Sequence, residues 1–158
     1  MLTATPKRWF SWDFTVQEGS QPIAKIDHSL WREKGTLTIE GKDYRVYREG
    51  VMRGEFVLES DGKVLARAEK PSAFRRSFVV THAGREYTLQ AQSALRRPFV
   101  LLQGSQEVGW ITPQGIFSRK TQVDLPEVLP LPVRVFLLWL TIVLWKRDAD
   151  SAAAASGG

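Results

Sequence analysis

The chain has 158 residues, 43% hydrophobic and 25% charged, with a formal net charge of +5. That is enough apolar material for one packed domain, and the charge is too mixed in sign for a disordered chain. It contains no cysteine, which excludes disulfides, thiolate metal sites and a cysteine nucleophile.

The first residues, Met1 to Phe14, include Lys7 and Arg8 and lack the apolar core of a secretion signal. The expectation is a cytoplasmic protein, peripheral at the inner face of the membrane if it meets a membrane at all. From Trp12 to Leu125 the pattern is short alternating runs. Tyr44, Val46 and Arg48 alternate with Arg45, Tyr47 and Glu49. Val64, Ala66 and Ala68 alternate with Leu65, Arg67 and Glu69, and Tyr87, Leu89 and Ala91 with Thr88, Gln90 and Gln92. Period two predicts strands with one buried face. Gly41, Asp61-Gly62, Gly84 and Gly104-Ser105 separate the runs, as tight hairpin turns require.

The chain also repeats itself. Gly41 and Tyr44 recur 43 residues on as Gly84 and Tyr87, and Phe56-Val57-Leu58 recurs at the same offset as Phe99-Val100-Leu101. Pro22-Ile23-Ala24, Lys63-Val64-Leu65-Ala66 and Glu107-Val108-Gly109-Trp110 are three related stretches. Each is followed by an aromatic with basic residues: Trp31-Arg32, Phe74-Arg75-Arg76 and Phe117-Ser118-Arg119-Lys120. The reading is a four-stranded unit used nearly three times, about a dozen strands in all. A sheet that large curls or closes, because closure removes exposed edges.

Beyond Leu125 the character changes. Leu125-Pro126 and Leu129-Pro130-Leu131-Pro132 interrupt any strand. Val133 to Trp145 is apolar on every side apart from Arg134 and Thr141, and Lys146 and Arg147 follow. A helix apolar all round is buried in protein or in lipid. Only 11 uncharged residues run from Val135 to Trp145, against the roughly 20 that a bilayer span needs. The segment therefore reads as the filling of a closed sheet. The fold class expected is all-β with one C-terminal helix, a closed antiparallel barrel of about twelve strands wrapped around that central helix. The domain is expected over 8–147 with its core helix at 132–147, and 148–158 as a disordered tail.

Little in the chain points to catalysis. His28 and His82 are isolated, without a second ligand at metal spacing. There is no glycine-rich phosphate loop and no nucleophile elbow. Asp27, Glu33, Asp43, Glu55, Glu59 and Asp61 read as solubility charges at turns and outward positions. The expectation is a non-enzymatic protein without cofactor or metal.

The basic residues are the candidate functional feature. Arg32 and Lys34, Arg75 and Arg76, and Arg119 and Lys120 recur at like places in the repeat. Arg53, Arg96 and Arg97 recur at another, and Lys70 adds to one group. Rotation-related repeats would set these on one barrel rim. There, with aromatics such as Trp31 and Phe74, they would suit an anionic membrane surface. The opposing reading is ordinary solvated strand ends, where cations also discourage edge pairing.

Val64-Leu65-Ala66 after Asp61-Gly62, Gly84-Arg85-Glu86-Tyr87, Val108-Gly109-Trp110-Ile111 and above all Leu131-Pro132-Val133-Arg134-Val135-Phe136-Leu137-Leu138-Trp139 resemble the tubby-like superfamily. That group takes in the tubby C-terminal domain, the phospholipid scramblases and the LURP-one-related proteins. The resemblance spans about Trp12 to Arg147 and is strongest to the small LURP-one-like proteins of bacteria. It implies a barrel of about twelve antiparallel strands around the helix and, by analogy with tubby domains, phosphoinositide binding through a surface lysine-arginine cluster. The cysteine-rich and proline-rich segments of the scramblases are missing.

Three functions remain open. The first is a module binding anionic phospholipid, phosphoinositide-like, through Arg32, Lys34, Lys70, Arg75, Arg76, Arg96, Arg97, Arg119 and Lys120. The second is a protein-interaction or scaffold domain with an incidental basic surface. Nucleic-acid binding comes third, because the aromatics alternate into the core and form no regular stacking platform.

Overall fold

The computed structural model describes residues 1–29, 32–50, 54–72, 75–93 and 96–157. Twelve strands follow one another: β1 (Leu2–Pro6), β2 (Phe14–Glu18), β3 (Gln21–His28), β4 (Lys34–Ile39), β5 (Lys42–Glu49), β6 (Glu55–Ser60), β7 (Lys63–Glu69), β8 (Ser77–His82), β9 (Arg85–Ala91), β10 (Phe99–Gln103), β11 (Gln106–Pro113) and β12 (Thr121–Asp124). One helix, α1 (Leu131–Ser156), completes the chain. Each strand pairs antiparallel with its neighbours in sequence, and β1 pairs with β12 to close the barrel. The closed barrel with a single C-terminal helix is the architecture expected from the residue pattern, and it is consistent with the tubby-like fold.

The alternation seen in sequence is the inside-outside alternation of this barrel. Phe14 and Val16, Ala24 and Ile26, Leu37 and Ile39, Phe56 and Leu58, Phe78 and Val80, and Phe99 and Leu101 are buried. Every residue from Val135 to Trp145 on the helix is buried too. The small Ala24, Ala66 and Ala68 leave room for the bulky helix beside large neighbours.

The repeat is also structural. Register shifts fall at Val16/Gln17, Leu58/Glu59 and Leu101/Leu102 in β2, β6 and β10. Phe14, Phe56 and Phe99 stand fully buried on the same three strands. The units are thus β2 to β5, β6 to β9, and β10 to β12, with the N-terminal strand β1 supplying the fourth strand of the last. A bulge bends and twists the strand that carries it, so one per unit distributes the curvature that closure needs.

The expected limits of 8 and 147 differ from the structure at both ends. Strand β1 lies before residue 8, with Leu2 and Ala4 buried in the core, because without it the sheet would not close. The helix continues through Ser156 rather than giving way to a disordered tail. Ala152 to Ala155 favour helix in their own right. Lys146 and Arg147 are therefore mid-helix and do not cap its negative end.

Three hairpins turn on two consecutive left-handed residues: Glu40-Gly41, Asp61-Gly62 and Ala83-Gly84. At φ 49° Ala83 lacks the short polar side chain with which aspartate or asparagine offsets the crowding of its Cβ by a local hydrogen bond. Ala83→Asn is expected to stabilise the fold by about 1 kcal/mol, read as a higher urea midpoint at unchanged slope. In the opposite direction, Leu138→Asp or Trp139→Asp should abolish folding, since either carboxylate would be enclosed by strands on all sides. Loss of near-ultraviolet dichroism and of a compact elution volume would record it, and a folded variant would contradict the enclosed helix.

Candidate functional site

An up-and-down barrel sends alternate connections to opposite ends, and here the two ends differ. One end carries two-residue turns at 19–20, 40–41, 61–62, 83–84 and 104–105, plus the 125–130 link to α1. These connections contain Glu40, Asp61 and Glu127 and no lysine or arginine, although Lys42, Lys63 and Arg85 begin the strands that follow three of them. The other end carries the longer connections at 7–13, 29–33, 50–54, 70–76, 92–98 and 114–120. All nine basic residues singled out from sequence lie in these longer connections, save Lys34, which begins β4 beside one of them. The helix also leaves the barrel here. Trp31, Arg53 and Phe74 lie outside the described residues.

Not all nine cations are equally free. Arg76 pairs with Asp148 at 2.7 Å, donates to the Arg96 carbonyl at 2.8 Å and lies over the Phe99 ring. Lys70 donates to the carbonyls of Ser72 and Arg75. Its pKa is lowered by burial and by the nearby Arg147. By contrast, Arg32, Lys34, Arg75, Arg96 and Lys120 are exposed, and their side chains form no ion pair among the described residues. Arg32 also borders a cleft of about 370 Å³ with Glu33, Lys146, Arg147 and Asp150. Glu33 binds Arg147 through two 2.6 Å contacts, a bidentate pair that ties the helix to the β3–β4 connection.

Arg97 and Arg119 are built differently from the rest. The Arg97 guanidinium lies 5.2 Å from the Trp145 ring and donates to the carbonyls of Ile116 and Ser118. Arg119 lies 4.9 Å from the Trp12 ring and donates to the carbonyls of Ser11 and Arg8. Trp145 returns an indole hydrogen bond to the Arg97 carbonyl at 3.0 Å. Burial holds both guanidiniums below their ordinary pKa, and the Arg119 charge adds to the effect on Arg97. Neither has a carboxylate partner among the described residues. Together with Trp9, Phe10 and Asp148 they line a cleft of about 530 Å³.

Beside this cleft the apolar side chains face outward. Trp9 is 86% exposed, Phe10 62%, Ile116 84% and Phe117 98%. The sequence sets Phe117 before its basic residues and aromatics such as Trp31 and Phe74 at the rim, but does not single out Trp9, Phe10 or Ile116. Their signal was available: they sit in Trp9-Phe10 and Ile116-Phe117, outside any alternating run and next to Arg8 and Arg119.

His28 also departs from expectation. Read from sequence only as isolated, it is buried at the end of β3, where Trp139 donates its indole hydrogen to Nδ1 at 3.1 Å. Its backbone N–H donates to Asp13 at 2.8 Å. Burial, and next the Lys146 charge, lower its pKa, consistent with a neutral ring accepting from Trp139. Among the described residues no group of three His, Asp or Glu side chains is arranged to hold a metal ion. Nor is any helix there long and apolar enough to cross a membrane. No protein-family model, curated protein or solved structure matches the chain.

The buried histidine predicts a pH dependence of stability. Above the ordinary value of 6.5, the folded and unfolded chains are both neutral at this site. Below it, the unfolded chain takes up a proton that the native state refuses, so stability falls. The expected slope approaches 1.4 kcal/mol per pH unit, at most about one proton's worth. Urea titrations between neutral and mildly acidic pH should show it. His28→Asn, which keeps an acceptor for Trp139 and does not titrate, should flatten the curve.

Proposed function

We propose that this chain is a non-enzymatic binding module of the tubby-like, LURP-one-related kind, which docks on anionic phospholipid through the long-connection end of its barrel. The observation that carries the reading is the difference between the two ends. Lysine and arginine crowd the connections at one end and are missing from those at the other. A charge distribution of that kind orients the molecule in the field of an acidic surface. Phosphoinositide or phosphatidylglycerol headgroups supply the matching charge. A cytoplasmic protein peripheral at the inner leaflet is the corresponding location.

The distribution of partners sharpens which residues meet the lipid. Arg32, Lys34, Arg75, Arg96 and Lys120 have side chains free to engage phosphate. Arg76, Arg97 and Arg119 are committed to carbonyls, a carboxylate or aromatic rings within the fold, and support the end from behind.

A second reading has an observation of its own. Residues 151–156 of the helix stand exposed past the Arg76–Asp148 pair, a short helical segment available to a protein partner. Duplex nucleic acid is the weakest alternative.

The test is flotation with neutral and with phosphoinositide- or phosphatidylglycerol-containing vesicles, at low and high salt. Flotation with acidic vesicles only, weakened by salt, is expected. Each cation near an acidic surface contributes about 1 kcal/mol. The quadruple variant Arg32→Glu, Arg75→Glu, Arg96→Glu, Lys120→Glu should therefore weaken binding by about a thousandfold or more while remaining folded. Absence of flotation at low salt would remove the lipid reading and favour a protein partner.

A further inference from the structure

Among the described residues, the four large exposed apolar side chains at the basic end belong to two connections. Trp9 and Phe10 tip the one between β1 and β2, and Ile116 and Phe117 the one between β11 and β12. Because β1 pairs with β12 at the closure, these connections are neighbours on one side of the emerging helix. They are also tied together. Arg119, on the second, donates to the Arg8 and Ser11 carbonyls of the first. Arg97, from the β9–β10 connection, donates to the Ile116 and Ser118 carbonyls of the second. Both clamps lie over tryptophan rings, Trp12 and Trp145.

Loop tips fixed in this way cannot fold their apolar side chains back into the core, which α1 already fills. The remaining large exposed apolar residues among those described, Met1, Val64 and Val128, lie towards the opposite end. An apolar patch rimmed by cations and held rigid is a mark of an interaction surface. Its charge complements an acidic partner. Aromatic side chains flanked by basic ones match the interfacial layer of a bilayer, where the ring enters the acyl boundary and the cation stays with phosphate.

We propose that Trp9, Phe10, Ile116 and Phe117 form an insertion wedge that enters the acyl boundary of an anionic bilayer, with Arg97 and Arg119 holding its two loops in the inserting arrangement. This deepens the phospholipid reading and rests on it, adding orientation and depth. The helix leaves the barrel through the same end, so a flat approach along its axis is obstructed. A tilted approach, with the β1–β2 and β11–β12 side towards the membrane, brings the wedge down and leaves residues 148–156 beside it.

The experiment uses the full chain with phosphatidylglycerol-containing vesicles whose acyl chains are unlabelled or brominated. Brominated chains should quench the tryptophan fluorescence of the bound protein, and Trp9→Phe should lose most of that quenching while still binding. The double variant Ile116→Ser, Phe117→Ser should lose binding about tenfold or more, most visibly at high salt, where the electrostatic part is screened. Val128→Ser, at the opposite end, should behave as the unsubstituted protein, with circular dichroism unchanged in all. Flotation on acidic vesicles without acyl-chain quenching, and indifferent to the double variant, would overturn the wedge and leave surface docking standing. A lipid-free dimer dissolved by the same double variant would also overturn it, because the patch would then be covered by a second copy of the chain. No flotation at all would remove the phospholipid reading and the wedge with it.

Discussion

The structure depends on enclosing a helix that has no polar side. From Val135 to Trp145 every residue of α1 is buried, and nothing short of a complete surround hides all its faces from water. A sheet does so only by closing, and closing also removes the two edges on which a twelve-stranded sheet would pair with other chains. The few polar atoms on the buried segment are met inside. Trp139 donates to His28, Trp145 to the Arg97 carbonyl, and the Thr141 hydroxyl to the Leu137 carbonyl one turn back. Each of the two indole bonds therefore ties the helix to a different part of the wall, His28 on β3 and Arg97 in the β9–β10 connection.

Filling the barrel moves any binding surface to the outside. The tight turns at one end are held short by hairpin geometry and leave few atoms to recognise anything. The longer connections at the other end are free to carry function, as loops on a rigid scaffold commonly do. Here they hold most of the cations that the sheet does not use. Those cations divide into two groups. One is exposed and lacks ion pairs among the described residues, and the other is spent on holding loops and helix together. Arg97 and Arg119 belong to the second group, although nothing in their sequence context separates them from Arg96 and Lys120.

Local pattern explains why some features could be read in advance. Alternation is a property of neighbours along the chain, so the strands around Tyr44, Ala66 and Leu89 are visible without coordinates. Asp61-Gly62 marks its turn because few residue pairs tolerate two left-handed positions in succession. The 43-residue offset survives as matched turns, buried phenylalanines and bulges. Contact between distant segments leaves no such trace. Gly109 reads only as part of a repeated stretch. In the barrel a Cβ there would lie 2.6 Å from the Asp124 carbonyl oxygen, a constraint set by how closely the end of β12 approaches. The bond between His28 and Trp139, 111 residues apart, is equally silent in sequence.

By itself, then, the sequence determined the fold class, the strand rhythm, the buried helix and the concentration of basic residues, because each follows from the period, length or composition of a contiguous stretch. Tertiary structure decided how the ends of the chain are used. The strand Leu2–Pro6 lies before the expected boundary because closure requires a twelfth strand, and only the assembled barrel reveals the gap. It also decided which cations are free, and that Trp9, Phe10, Ile116 and Phe117 face solvent together. Two connections more than a hundred residues apart become neighbours only when β1 meets β12.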